Sequence, residues 1–170
     1  MHMALKVAVS GASGYVGGEV LRVFSEHPDV EFGALTAHSS AGDRLGVHQP
    51  HLRLLAEREI VETSVETLAG HDVVVLALPH GTSGAIAAQL PPETLVLDCG
   101  ADHRLSSADA WAEYYGGDHS GTWPYGMPEP HHADGPSARR AGGSQARRGA
   151  RLQRHRRDPW PPARRGRRSR

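Results

Sequence analysis

Residues 5–24, LKVAVSGASGYVGGEVLRVF, run from Leu5 to Phe24 and decide the fold. Leu5, Val7, Ala8 and Val9 make the short apolar run of a parallel strand covered on both faces. Gly11, Gly14 and Gly17 follow at three-residue spacing. Val16, Val20, Leu21 and Phe24 then recur at helical spacing, which predicts a core-facing stripe. A glycine turn between strand and helix places backbone N–H groups at a helix N-terminus, where orphan donors and the helix dipole favour a phosphate. Glycine suits this turn because any Cβ would hold a pyrophosphate away from the backbone. Strand before and helix after are the context that a dinucleotide loop requires. A tight βα turn that uses its glycines for packing alone would read the same way.

Downstream of that turn the chain alternates. The first helix is expected to end near Ser25–Pro28, since Pro28 cannot continue it. Val30–Ala37 is the second predicted strand, and His38-Ser39-Ser40 follows as a hydroxyl-rich turn. An acid at this point would accept the 2′-OH of NAD, whereas a 2′-phosphate wants small donors or a cation. Ser39 and Ser40, with Arg44 close behind, therefore favour NADP; a solvated loop with a chance serine pair is the alternative. Gly42–Leu55 shows little periodicity and is expected as surface loop. Arg58–Val61 suggests a short strand, and Thr63-x-x-Glu66 resembles a capping box for a brief helix ending at Gly70.

Asp72–Leu78 is the strongest predicted strand, broken by Pro79-His80-Gly81. Thr82–Leu90 is expected to be helical, and Thr94–Asp98 to be a buried strand. This alternation predicts an α/β fold, a doubly wound, Rossmann-type parallel sheet. Ligands on such a sheet sit at the carboxyl ends of the strands, where Gly11–Gly17, His38–Ser40, Pro79–Gly81 and Asp98–Ala101 all fall. The expected NADP-binding residues are Gly11, Ser13, Gly14, Tyr15, Val16, Gly17, Ser39, Ser40, Pro79, His80 and Gly81. His80 either contacts the nicotinamide or caps the following helix. Asp102 and Arg104 suggest a structural loop ion pair, and Ser107–Tyr115 a short helix with Trp111 and Tyr114 inward. Cys99, the single cysteine, follows a buried strand with no partner base at readable spacing, so no catalytic residue is assigned.

The formal charge of zero conceals two unlike segments. Residues 1–130 hold six Lys and Arg against 17 Asp and Glu, a charge of −11; residues 131–170 hold 13 Arg against two Asp, a charge of +11. Arg, Ala, Gly and Pro make up 28 of those last 40 residues, with Leu152 and Trp160 the only large apolar side chains. Such a segment cannot bury enough surface to offset its chain entropy and is expected to be disordered. The predicted folded unit is residues 4–130, an incomplete Rossmann-type domain, with 131–170 as a tail and no second domain. One cysteine excludes a disulfide framework and points to a reducing cytoplasm, and no run of membrane-spanning length or signal peptide is visible. None of the 12 histidines lies in a metal-binding frame, and His48-x-x-His51 shares its loop with Pro50, so no metal is expected.

Four stretches together resemble one enzyme family. They are GASGYVGGEVLR (Gly11–Arg22), LALPHG (Leu76–Gly81), LDCGADHRL (Leu97–Leu105), and YYGGDH (Tyr114–His119) followed by YGMPE (Tyr125–Glu129). In order and approximate spacing they are similar to N-acetyl-γ-glutamyl-phosphate reductase, over residues 5–129, about the first half of such an enzyme. The glycine motif is shared with aspartate-semialdehyde dehydrogenases, and a relative of that kind is an alternative. The resemblance implies an NADP-dependent oxidoreductase of arginine biosynthesis, homo-oligomeric at full length, acting on an acyl phosphate. A cysteine thiolate attacks the acyl phosphate, phosphate leaves, and hydride from NADPH reduces the thioester to the semialdehyde. The family carries that cysteine in a PGC motif downstream of YGxPE, and its acid/base histidine in a second domain. This sequence has no PGC, and Cys99 lies in a different segment, so the nucleophile's role is not transferred to it and the chain is expected to be inactive.

The tail's composition is what a GC-rich gene read out of frame would yield. With Ala150–Asp158 written GCN CGN CTN CAR CGN CAY CGN CGN GAY, the frame one nucleotide later runs CNC GNC TNC ARC GNC AYC GNC GNG. That string permits Pro-Gly-Cys-Asn-Ala-Thr-Ala-Val, with the cysteine codon straddling Leu152 and Gln153. The same shift at Pro130-His131 permits Leu after YGMPE. One extra nucleotide after the Glu129 codon is therefore the expected origin of the tail. The competing function is a binding module whose arginine arm contacts RNA or DNA. Against it stand Trp160 as the only stacking residue and the tail's lack of lysine. A half-domain that does not fold stably is a third possibility.

Overall fold

A computed structural model describes residues 4–124, and the backbone of three dipeptide strands at 131–132, 135–136 and 150–151. β1 (Leu5–Ser10), β2 (Val30–Ala37), β3 (Val61–Glu62), β4 (Val73–Leu76) and β5 (Leu95–Asp98) form a parallel sheet in the order β3-β2-β1-β4-β5. The backbone of β8 (Ala150–Arg151) extends it beside β5, and β6 (His131–His132) pairs antiparallel with β7 (Gly135–Pro136) as a separate ladder. Apart from these dipeptides, the expectation of a disordered, frame-shifted tail falls outside the described residues, as do the YGMPE residues.

Side-chain alternation along the central strands explains the two-sided cover. Val7, Val9, Val73 and Val75 face one side with Leu21, Leu35, Leu45, Leu52 and Ile60. Ala8, Val74 and Leu76 face the other with Leu68, Leu90 and Val96. All four residues of β4 are buried. The helices α1 (Tyr15–Phe24), α2 (Leu45–His48), α3 (Val65–Leu68), α4 (Ser83–Ala87) and α5 (Ala108–Tyr114) lie between or after strands, with a 3-10 turn at Arg53–Leu55. The chain steps outward from β1 to β2 and β3, then returns to β4 and β5 on β1's other side, so the order reverses between β1 and β4. In doubly wound sheets the ligand crevice lies at that reversal.

Several local expectations shift. Leu21 is buried and Val20 and Phe24 pack on the core, but Val16 is 52% exposed because the first turn of α1 overlooks the strand ends. The stretch 42–55 is not featureless surface: Leu45 and Leu52 are buried from α2 and the 3-10 turn. The predicted strand at 58–61 becomes β3 at Val61–Glu62. α3 is capped by Ser64 and Thr67 rather than by Thr63 and Glu66: Ser64 Oγ accepts from Thr67 N (3.2 Å) and Thr67 Oγ1 from Ser64 N (3.0 Å). Tyr114 is 70% exposed, and Tyr115 takes the inward place, its ring 4.6 Å from that of Trp111.

Candidate functional site

Ladder register aligns the strand ends into one rim. Ser10 pairs with Thr36 on one side and with Leu76 on the other, and Leu76 pairs with Asp98. The loops that leave these four positions are therefore neighbours, and most of the sequence-predicted residues stand on them. Below the rim, Thr63 Oγ1 lies 3.2 Å from Ser10 Oγ and 2.8 Å from Thr36 Oγ1, a hydroxyl chain that ties β1, β2 and the segment after β3 together.

The glycines of the first loop divide by cause. Gly11 has φ +86°, and a Cβ there would lie 2.3 Å from the Ala77 carbonyl oxygen. A Cβ on Gly17 would lie 2.0 Å from the Gly11 carbonyl oxygen. Both are therefore required by the protein's own packing. Gly14 differs: its φ is −82°, and the nearest atom to a Cβ would be the Gly11 carbonyl oxygen at 3.4 Å. No neighbouring atom demands glycine there, and the backbone of Gly14 faces open space. Gly14 is the N-cap of the 10-residue helix α1 and makes no side-chain cap. A diphosphate at this helix end has the expected partners. Ser13 is partly exposed, Tyr15 is 99% exposed, and both border that space.

The second loop leaves β2. Ser39 is exposed, whereas Ser40 is 8% exposed and turned inward. An acid unanticipated at this point arrives from β3: Glu62 Oε1 lies 2.8 Å from His38 Nδ1. Arg44 donates to the Glu57 carbonyl oxygen. His48 Nε2 pairs with Asp43 at 2.8 Å, and no cluster of three potential metal ligands occurs among the described residues.

The third and fourth loops interlock. Asp102, 1% exposed, accepts from the Gly81 amide at 2.7 Å and the Gly84 amide at 2.8 Å. The expected Asp102–Arg104 pair does not form, because two backbone donors take both carboxylate oxygens and Arg104 donates to Tyr115 Oη instead (2.8 Å). His80 is exposed, with its ring 5.4 Å from that of Tyr115. Thr82 caps its own turn by donating to the Pro79 carbonyl. Asp98 accepts from the Gly100 amide and Ser83 Oγ, while burial pushes its carboxyl pKa up. Burial, with Asp98 adjacent, pushes the Cys99 thiol up to about 11. A thiol held in that state is not a nucleophile near neutrality. His103 stacks on Trp123 at 3.5 Å, and burial lowers its pKa below the usual imidazole value.

Residues 6–135 match a known family, described as semialdehyde dehydrogenase, NAD binding domain. The chain belongs to this family. Among curated relatives, N-acetyl-gamma-glutamyl-phosphate reductase of Renibacterium salmoninarum is 68% identical over 127 residues, covering 75% of this chain and 36% of the relative. The enzyme of the same name from Thermobifida fusca is 63% identical, with 75% and 37% covered. The chain thus spans little more than a third of the length of these relatives. An aspartate semialdehyde dehydrogenase from Candida albicans, solved with NADP, aligns at TM-score 0.49 and 22% identity over 62% of this chain and 32% of that one. Sequence reasoning missed two side chains that bind these loops: Gln49, whose Nε2 lies 2.9 to 3.3 Å from the carbonyls of Ala12, Ser13 and Gly14, and Asp102 in its bonds to Gly81 and Gly84. The capping pair Ser64 and Thr67 carried only a partial local signal, since Ser is a favoured N-cap residue but Thr is not the Glu or Gln of the usual capping box.

Proposed function

We propose that this chain is the dinucleotide-holding portion of an NADP(H)-dependent acyl-phosphate reductase of arginine biosynthesis, and that in its present form it binds NADP(H) without turning over substrate. The observation that carries the first half is the bare, unobstructed backbone at Gly14, at a helix N-terminus on the rim where the strand order reverses between β1 and β4. The loop Gly11–Gly17, with Ser13, Tyr15 and Val16, holds the diphosphate. Ser39 offers a hydroxyl to the adenosine ribose, where no acid follows β2 directly; the inward-turned Ser40 supports that turn. Pro79, His80 and Gly81 border the nicotinamide end, and Asp102 fixes them there. In a full-length enzyme of this kind the dinucleotide held here would supply the hydride that reduces the enzyme thioester, formed from N-acetyl-glutamyl 5-phosphate with loss of phosphate, to the semialdehyde.

The second half rests on sulfur. Cys99 is the only cysteine in the sequence, and its thiol is raised to about 11. An extra nucleotide after the Glu129 codon would account for a tail whose codons permit the family's reactive motif one frame away. Titrating the 170-residue chain with NADPH and NADH, followed by intrinsic fluorescence, tests the first half: saturable binding with NADPH preferred supports it, and no binding removes it. Acyl-phosphate reduction by the same preparation would overturn the second. Sequencing the encoding DNA tests the frame: a +1 frame with stops, or without TGC across the Leu152 and Gln153 codons, excludes it.

A further inference from the structure

Gln49 lies in a stretch without hydrophobic periodicity, yet it is only 7% exposed and reaches the glycine loop 35 to 37 residues earlier. Its Nε2 donates toward three consecutive carbonyl oxygens: Ala12 at 3.3 Å, Ser13 at 3.1 Å and Gly14 at 2.9 Å. Its own backbone is held by the Leu45 carbonyl at 2.8 Å, at the end of α2. Carbonyls can only accept, so three of them converging on one side chain need a donor there, and the two N–H groups of the Gln49 amide are shared among the three.

In a trans peptide the C=O points opposite to the N–H of the next residue. Carbonyls 12 and 14 drawn inward therefore send the N–H groups of Ser13 and Tyr15 outward, toward the opening before Gly14. The Gly14 N–H is engaged by the Gly11 carbonyl at 3.0 Å. α1 has been built to admit the clamp. A Cβ on Gly18 would lie 2.4 to 2.5 Å from the three polar-end atoms of the Gln49 carboxamide, which explains a glycine directly after Gly17.

We infer that Gln49, seated against Gly18, is a positioning residue for the diphosphate loop: by holding three carbonyls back it keeps the loop's amides, not its oxygens, facing a polyanion. The inference rests on the dinucleotide reading of that loop. In the full chain, Gln49→Met keeps the bulk and removes the donor, and Gln49→Glu places a third acceptor against the carbonyls. NADP+ dissociation constants should rise about tenfold for Gln49→Met and further for Gln49→Glu. Adenosine 2′-phosphate, which lacks the diphosphate, should bind each variant within about twofold of the parent, since it makes no contact with this loop. Gly18→Ala pushes the flexible carboxamide aside while raising helix propensity, so it should weaken NADP+ without lowering Tm. The double variant Gly18→Ala/Gln49→Met should be no weaker than the worse single one, because both remove the same clamp. If Gln49→Met does not fold, Gly18→Ala decides the matter alone. Wild-type-like NADP+ affinity in Gly18→Ala overturns the inference, as does parallel loss of both ligands. Failure of the parent chain to bind NADP+ is a distinct result, and removes the dinucleotide reading itself together with the clamp's role.

Discussion

Asp102→Asn should destabilise the fold by about 2 kcal/mol, through a loss located in the loop after β4. The carboxylate is buried and makes two charge-assisted bonds, to Gly81 N at 2.7 Å and Gly84 N at 2.8 Å. Bonds of this kind contribute about 1.5–3 kcal/mol each. Asparagine retains one acceptor oxygen and sets an NH2 group against the other amide. Gly84 is buried and Gly81 exposed, so the remaining oxygen stays with Gly84 and the Gly81 amide recovers water. The cost is then one charge-assisted bond, partly offset by water at the Gly81 amide, plus some weakening of the second, about 2 kcal/mol and below what losing both would give. With a urea slope of about 1–2 kcal/mol per M for a domain of this size, the midpoint should fall by about 1–2 M. Urea unfolding of the full chain, followed through Trp111 and Trp123, measures it, and hydrogen exchange at the Gly81 amide locates it. A midpoint shift below about 0.3 M at unchanged slope would show that Asp102 does not hold the loop.

Two further outcomes follow from the titrating groups. With its pKa near 11 rather than the ordinary 9.0, Cys99 carries about a hundredfold less thiolate near neutral pH, so iodoacetamide should label the native chain about a hundredfold more slowly than the urea-unfolded chain; equal rates would refute the burial argument. His103 is held below the ordinary 6.5, so the unfolded chain binds more protons and stability present above pH 6.5 should be lost as pH falls through and below it. Asp98, raised by burial, acts in the opposite sense, so the effect is read as the difference in Tm between pH 7.5 and 5.5 for the parent and His103→Phe, which should be flatter.

The fold was legible because its signals are local. β2 matches its expected bounds, Val30 to Ala37, since an apolar run between Pro28-Asp29 and a polar turn leaves little freedom. The glycine loop was legible for the same reason, Gly11 answering a constraint from the adjacent strand end and Gly17 one from its own turn. The misreadings share a different cause: two candidates fit locally and a distant atom chose between them. Thr63 and Ser64 each head a capping pattern, but the Thr63 hydroxyl is occupied by Ser10 and Thr36, leaving Ser64 to cap α3. Tyr114 and Tyr115 both lie within one turn of Trp111, three and four residues on, and Arg104 selects Tyr115 by donating to its hydroxyl. Asp102 faced a cation two residues away and took two backbone donors 18 and 21 residues back instead.

Gln49 is the extreme case. Nothing in the neighbouring α2 marks it, because its three partners belong to the loop after β1, 35 to 37 residues earlier. A phosphate site of this kind therefore has two layers. One is the glycine spacing, written in consecutive residues. The other is the set of polar clamps, Gln49 on the first loop and Asp102 on the third, that fix which way each backbone group faces. The second layer exists only once the sheet has brought the loops to a single rim, and under the proposed reading the clamps as well as the glycines set the affinity for a polyanion.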